Sequence, residues 1–96
     1  MTRTDLAAVL RGLPKAELHL HLEGTIRPHI AVELAARYGV SLTEDEAKRR
    51  YEYADFIGFI EAFKRVTSFV RQPADYALIT RRMAEELAAQ NVVYAE

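Results

Sequence analysis

Between Lys15 and Glu23 the chain alternates without a break: Lys15, Glu17, His19, His21 and Glu23 are polar, while Ala16, Leu18, Leu20 and Leu22 are apolar. A period of two predicts a β-strand over Lys15 to Glu23 whose polar side chains share one face, and Gly24 ends it. Elsewhere the apolar residues recur three and four apart, the helical period. Upstream, Leu6, Val9 and Leu10 predict a short helix capped by Thr4 or Asp5 and stopped at Gly12. Downstream, Pro28 suits the first turn of a helix running toward Tyr38, with Ile30, Leu34 and Tyr38 on one face and Gly39 as its C-terminal cap. Thr43 followed by Glu46 is a capping box, and the charged stretch Asp45 to Glu52 reads as a short exposed helix. Asp55 caps the next helix, which is expected to bury Phe56, Phe59, Ile60, Phe63, Val66 and Val70 before Gln72-Pro73 interrupts it. The last helix begins near Asp75 and carries an apolar stripe of Tyr76, Ile79, Met83 and Leu87. Asn91 takes a left-handed cap, and Val92 to Glu96 reads as a second strand.

Helix, strand, several helices, strand is the order of a crossover unit joining two parallel strands, so the class is α/β. Two strands cannot cover this many amphipathic helices, and their edges stay open to pairing. The expected organisation is therefore one partial domain over residues 1–96, a portion of a larger unit. Composition narrows the function classes. Lysine and arginine number 13 against 14 acidic residues, which gives no electrostatic reason to expect nucleic acid or an anionic membrane as partner. The absence of cysteine excludes disulfides and thiolate metal sites, leaving histidine and carboxylate as metal ligands. No secretory signal precedes Leu6, and no stretch approaches the roughly 20 apolar residues of a membrane span. A cytoplasmic protein is expected.

His19 and His21 are two apart on the alternating strand, which separates them by about 6.6 Å of rise on one face, a spacing two imidazoles can bridge onto one metal ion. A strand with a wet face also carries histidines as plain surface groups, and the spacing alone leaves both readings open. The setting favours the metal: the polar face ends in an acidic residue and a glycine immediately before a helix, as at the mouth of a parallel-strand barrel. His29, in the first turn of the following helix, is expected to be a solvated residue rather than a third ligand.

The segment Leu13-Pro14-Lys15-Ala16-Glu17-Leu18-His19-Leu20-His21-Leu22-Glu23-Gly24 resembles the opening strand of the adenosine and adenine deaminase family. The similarity continues through Thr25-Ile26-Arg27-Pro28 and resumes from Asn91 to Glu96; Tyr94-Ala95-Glu96 looks most like the aminodeoxyfutalosine deaminase group. The resemblance implies a TIM (β/α)8 barrel of well over ~200 residues with one zinc ion at its C-terminal mouth. His19 and His21 match the family's metal-ligand pair of strand one, with the remaining ligands on later strands. It further implies hydrolytic deamination of a 6-aminopurine, in which zinc lowers the pKa of a water that attacks the ring carbon and ammonia leaves. The glutamate, histidine and aspartate that complete the chemistry are expected beyond residue 96.

Glu23 lies nearer the expected barrel mouth than His21 and is a candidate substrate contact; orienting a neighbouring histidine or facing solvent is the alternative. The family's adenosine-specific members typically carry aspartate there, so glutamate favours adenine or a modified nucleoside such as aminodeoxyfutalosine. Phe59 and Phe63 form an aromatic helix face that is ordinarily core, but the resemblance implies an apolar lid that shields the purine. Glu17, one step deeper on the histidine face, is expected inside the barrel. The rival readings are another metal-dependent amidohydrolase and a non-catalytic helical interaction module. On the main reading the 96 residues alone are inactive and prone to association, because catalysis needs the rest of the barrel.

Overall fold

A short helix ahead of a strand leaves its last carbonyls without partners, and here one ammonium collects them. A computed structural model describes residues 2–96. In it α1 (Arg3–Gly12) is capped not by Thr4 or Asp5 but by Thr2, with Asp5 as the reciprocal partner of a capping box. Asp5 is three residues inside the helix and its carboxylate reaches back, which is why a cap drawn on it falls too late. At the other end Lys15 Nζ donates to the carbonyls of Leu10, Leu13 and Arg11 at 2.6, 2.7 and 3.2 Å. Asn91 Nδ2 donates to Gly12 O at 2.7 Å. A cation at the negative end of a helix is favourable, and these bonds tie α1 to the start of both strands.

Those strands, β1 (Lys15–Glu17) and β2 (Val92–Ala95), pair in parallel as expected, with Lys15 opposite Val92 and Glu17 opposite Ala95 and an irregularity after Lys15. The first strand is far shorter than its alternation predicts. Glu96 N donates to Glu17 O and Leu20 N to Glu96 O, both at 2.9 Å, and there the ladder ends. Alternation describes where side chains point, but it does not mark the bend at His19 or the 3-10 turn over Leu22–Thr25, and these interrupt the extended backbone. Asn91 enters β2 in the left-handed conformation, at φ 57°.

Between the strands run a 3-10 turn (Leu22–Thr25) and four helices, α2 (Pro28–Ala36), α3 (Glu44–Arg49), α4 (Phe56–Thr67) and α5 (Pro73–Ala89). Pro28 opens α2 as predicted; α2 unwinds into a turn after Ala36, and Gly39 at φ 72° ends that turn in a conformation glycine adopts without strain. Thr43 and Glu46 form the capping box of α3, whose Ala47 is fully buried although a wholly exposed helix was expected. The core is built on α2: Ile30, Leu34 and Ala35 pack with Ile26, Leu42, Ala47, Val66, Phe69 and Ile79. Arg82 of α5 holds Glu33 of α2 through two bonds of 2.8 and 3.0 Å. The aromatic face of α4 contradicts its expectation. Val66 is buried and Ile60 partly so, yet Phe56, Phe59 and Phe63 are exposed, and Tyr76 leaves the stripe of α5 for solvent while Ile79 takes its centre.

With these faces open, the radius of gyration is 15.4 Å, against about 12.5 Å for a compact domain of this length. The class is thus α/β, mostly helical, with two parallel strands. Among the described residues no helix is long and apolar enough to cross a membrane.

Among the described residues one charged group lies inside. Asp75, in the first turn of α5, is buried, and its carboxylate accepts the Tyr38 phenol and the backbone N–H groups of Arg71 and Gln72, each of the latter at 3.0 Å. The Arg37 guanidinium stands 3.5 Å away. The Tyr38 hydrogen bond and, after it, the two backbone donors hold this carboxyl below its ordinary value against the opposing effect of burial. An unfolded chain therefore takes up this proton more readily than the folded one. The associated stability is fully present above the unfolded carboxylate value of about 3.9 and is lost as the pH falls through the lower folded value. Asp75→Asn is accordingly expected to flatten the decline of stability with acid below pH ~4, read from denaturant midpoints across that range; an unchanged slope would contradict the assignment.

Candidate functional site

Leaving the ladder at Leu20 decides how the histidines meet. The chain bends at His19, and His21 leads into the 3-10 turn, which is closed by Gly24 N donating to His21 O at 2.8 Å and by Thr25 Oγ1 donating to Leu22 O at 2.6 Å. Neither histidine is in β1, which corrects the expectation that both project from strand. Their rings nonetheless lie side by side, centroids 5.3 Å apart and planes 31° from parallel. Both are exposed. Zinc takes four nitrogen, oxygen or sulfur donors in a tetrahedron. The pair fits as two of them; among the described residues no three histidine, cysteine, aspartate or glutamate side chains cluster for a metal.

The histidines open onto a cavity of about 620 Å³, within the range that holds a drug-sized ligand. Glu23 lines it on the polar side with His19 and His21, and α4 supplies the apolar wall through Phe59, Ile60, Phe63 and Val66. The five side chains singled out from the sequence, His19, His21, Glu23, Phe59 and Phe63, thus border one space. Phe59 stands 6.3 Å from Phe63 and 6.2 Å from Phe56, ring to ring. Phe59 and Phe63 face the cavity, which accounts for their exposure, while Ala62 and Val66, which also line it, are buried.

Two tyrosines that sequence reasoning passed over also line it. Tyr51 is half-buried and donates its phenol to Ile26 O; burial pushes that phenol up to about 12, so it remains a neutral donor. Tyr53 meets Phe59 edge to face, centroids 5.3 Å apart at 65°. The signal that finds them is Gly58, a glycine within a helix, which costs roughly 1 kcal/mol against alanine and so points to a close approach by something else.

Outside this space, His29 Nε2 lies 3.3 Å from Glu86 on α5 and shares that carboxylate with Arg27. Glu17 does not share the histidine face. It lines a second cavity of about 420 Å³ beneath α5, with Arg27, Met83 and Glu86, because the bend after Glu17 breaks the phase that alternation carries forward.

A model of the adenosine deaminase family matches residues 14–96. Among curated proteins the chain is similar to aminodeoxyfutalosine deaminase of Streptomyces avermitilis, 45% identical over 98 residues that cover 99% of this chain and 27% of that protein. It is similar to the protein of the same name from Streptomyces coelicolor, 44% identical over 96% of this chain and 24% of the relative. An adenine deaminase of Streptomyces coelicolor is 41% identical over 91% of the chain and 26% of its own length. The chain spans about a quarter of the length of the curated relatives it matches.

Proposed function

The chain belongs to the adenosine deaminase family, and from that premise we propose that it forms part of a TIM-barrel enzyme that hydrolytically deaminates a 6-aminopurine with the help of one zinc ion. Its substrate is adenine, adenosine or a modified nucleoside such as aminodeoxyfutalosine, small molecules consistent with the names of the relatives. A cytoplasmic location, and no nucleic-acid or membrane partner, belong to the same reading.

The observation that carries it is the side-by-side placement of His19 and His21, 5.3 Å apart, on a cavity that also holds Glu23 and the phenylalanine wall of α4. His19 and His21 would hold the metal through neutral imidazole nitrogens, the rest of the barrel supplying the other donors. Bound there, zinc lowers the pKa of a water toward about 7. Glu23 accepts a hydrogen bond from a polar group of the substrate and so fixes its orientation. Phe59 and Phe63 cover the purine face and keep bulk water from the reacting carbon. In the overall change one water adds at the carbon bearing the amine, the C–N bond breaks, and ammonia leaves with a ring carbonyl in its place.

The test is turnover by the full-length protein. Ammonia release from a 6-aminopurine is expected, and its loss on chelation, with recovery on adding zinc, is expected too. A protein that releases no ammonia from adenine, adenosine or aminodeoxyfutalosine, or that keeps its rate after demetallation, would overturn the reading.

A further inference from the structure

The aromatic wall does not stop at α4. Tyr53, from the connection that precedes the helix, continues the series of rings Phe63, Phe59 with its own edge-to-face contact, and it borders the same cavity as the histidines. Tyr51 and Tyr53 both line that cavity, but they are not equivalent. The Tyr51 phenol is committed to Ile26 O, whereas Tyr53 is 55% exposed, at the outer margin of the wall.

What holds Tyr53 there is the absence of a side chain at Gly58. A Cβ at that position would meet Tyr53 Cβ at 3.2 Å and Asp55 Oδ1 at 3.1 Å. Asp55 is not free to retreat, since the same oxygen accepts Gly58 N at 2.7 Å as the cap of α4. An added methyl group therefore requires Tyr53 or Asp55 to give way by a few tenths of an ångström. A glycine here opposes helix formation, and its place is explained by the tyrosine lying against it.

We propose that Tyr53 is a specificity-determining residue of the cavity, its ring limiting the size of the group carried by the purine, and that Gly58 is the positioning residue that seats it. The proposal rests on the 6-aminopurine reading of the site. Tyr53 borders the cavity beside Phe59 and outside the histidine pair, so in this proposal it acts on what is attached to the purine rather than on the reacting carbon. Its influence falls on binding and therefore on KM.

The experiment compares adenine with adenosine as substrates of the full-length protein. Tyr53→Ala is expected to lower the ratio of kcat/KM for adenine over that for adenosine by about tenfold, mainly through KM, the order that a pocket-size change produces. Tyr53→Phe, which keeps the ring, should hold the ratio within about twofold of wild type. Gly58→Ala should move the ratio in the same direction as Tyr53→Ala while kcat for adenine stays within about twofold; Tyr53→Leu replaces Tyr53→Ala if the latter fails to fold. An unchanged ratio in Tyr53→Ala or Tyr53→Leu, or equal losses of kcat for both substrates, overturns the assignment of Tyr53. A Gly58→Ala protein with improved stability and unaltered KM overturns the role of Gly58. Wild-type protein that deaminates aminodeoxyfutalosine but neither adenine nor adenosine overturns the size limit at Tyr53 and leaves the underlying reading standing, whereas one that deaminates none of the three defeats both.

Discussion

His19→Ala in the full-length protein is expected to abolish bound zinc and ammonia release together. The two imidazoles are neighbours at 5.3 Å, and alanine at position 19 removes one donor outright while leaving its partner in place. Losing merely an outer hydrogen-bond partner of a metal ligand lowers affinity about 10- to 100-fold, and removal of the ligand itself exceeds that. Metal content by elemental analysis and ammonia by a coupled assay should therefore fall in parallel. His29→Ala is the matched control. His29 faces Glu86, away from the cavity, so that variant should keep both its zinc and its rate. A His19→Ala protein that retains one zinc per chain would remove the histidine pair from the metal site, whatever the activity.

Leu34→Ala should produce the largest loss of stability. Leu34 is completely buried on α2, in one cluster with Ile26, Ile30, Val66 and Ile79. Truncating such a leucine sacrifices its burial and leaves a cavity, together about 2–5 kcal/mol, a large share of the roughly 5–15 kcal/mol that keeps a domain folded. The measurement is the denaturant midpoint of the full-length protein against wild type. Leu34→Met, which nearly conserves volume, should cost less than about 1.5 kcal/mol. Equal and small effects in both variants would mean that α2 is not the centre of the packing. Ile26 follows the 3-10 turn that carries Glu23 and accepts the phenol of Tyr51, which lines the cavity.

Much of the architecture is legible without coordinates. The capping box of Thr43 and Glu46, the Asp55 cap, Pro28 at the start of α2, and the left-handed Gly39 and Asn91 are all found where sequence reading places them. Each depends on hydrogen bonds or dihedral preferences that act within about four residues, so the neighbouring letters contain the necessary information. Within the candidate site, His19, His21 and Glu23 form one short segment and Phe59 and Phe63 another, each legible by itself, and the fold brings the two onto one cavity. Where the reading failed, distance along the chain was the cause. Alternation extended β1 to Glu23, but the bend at His19 and the 3-10 turn over Leu22–Thr25 interrupt it, and a period of two marks neither. Tyr53 stayed hidden because its meaning lies in a contact with Gly58 that no periodicity announces.

From the order of its residues alone this protein has most of its helix caps and its parallel crossover, since those follow from local bonding and from a repeat of two or of nearly four, whereas the meeting of His19 and His21 depends on the bend after β1. Which apolar faces are covered was decided only by tertiary packing: periodicity shows that Phe59 and Phe63 share a side of α4, but the position of the 3-10 turn turns that side toward a cavity instead of the core. The same holds for Asp75, which is ionised in the interior because Tyr38, 37 residues earlier, donates to it. Contacts between distant segments set the surroundings of a side chain, and it is those surroundings that assign a phenylalanine to a wall or a carboxylate to the interior.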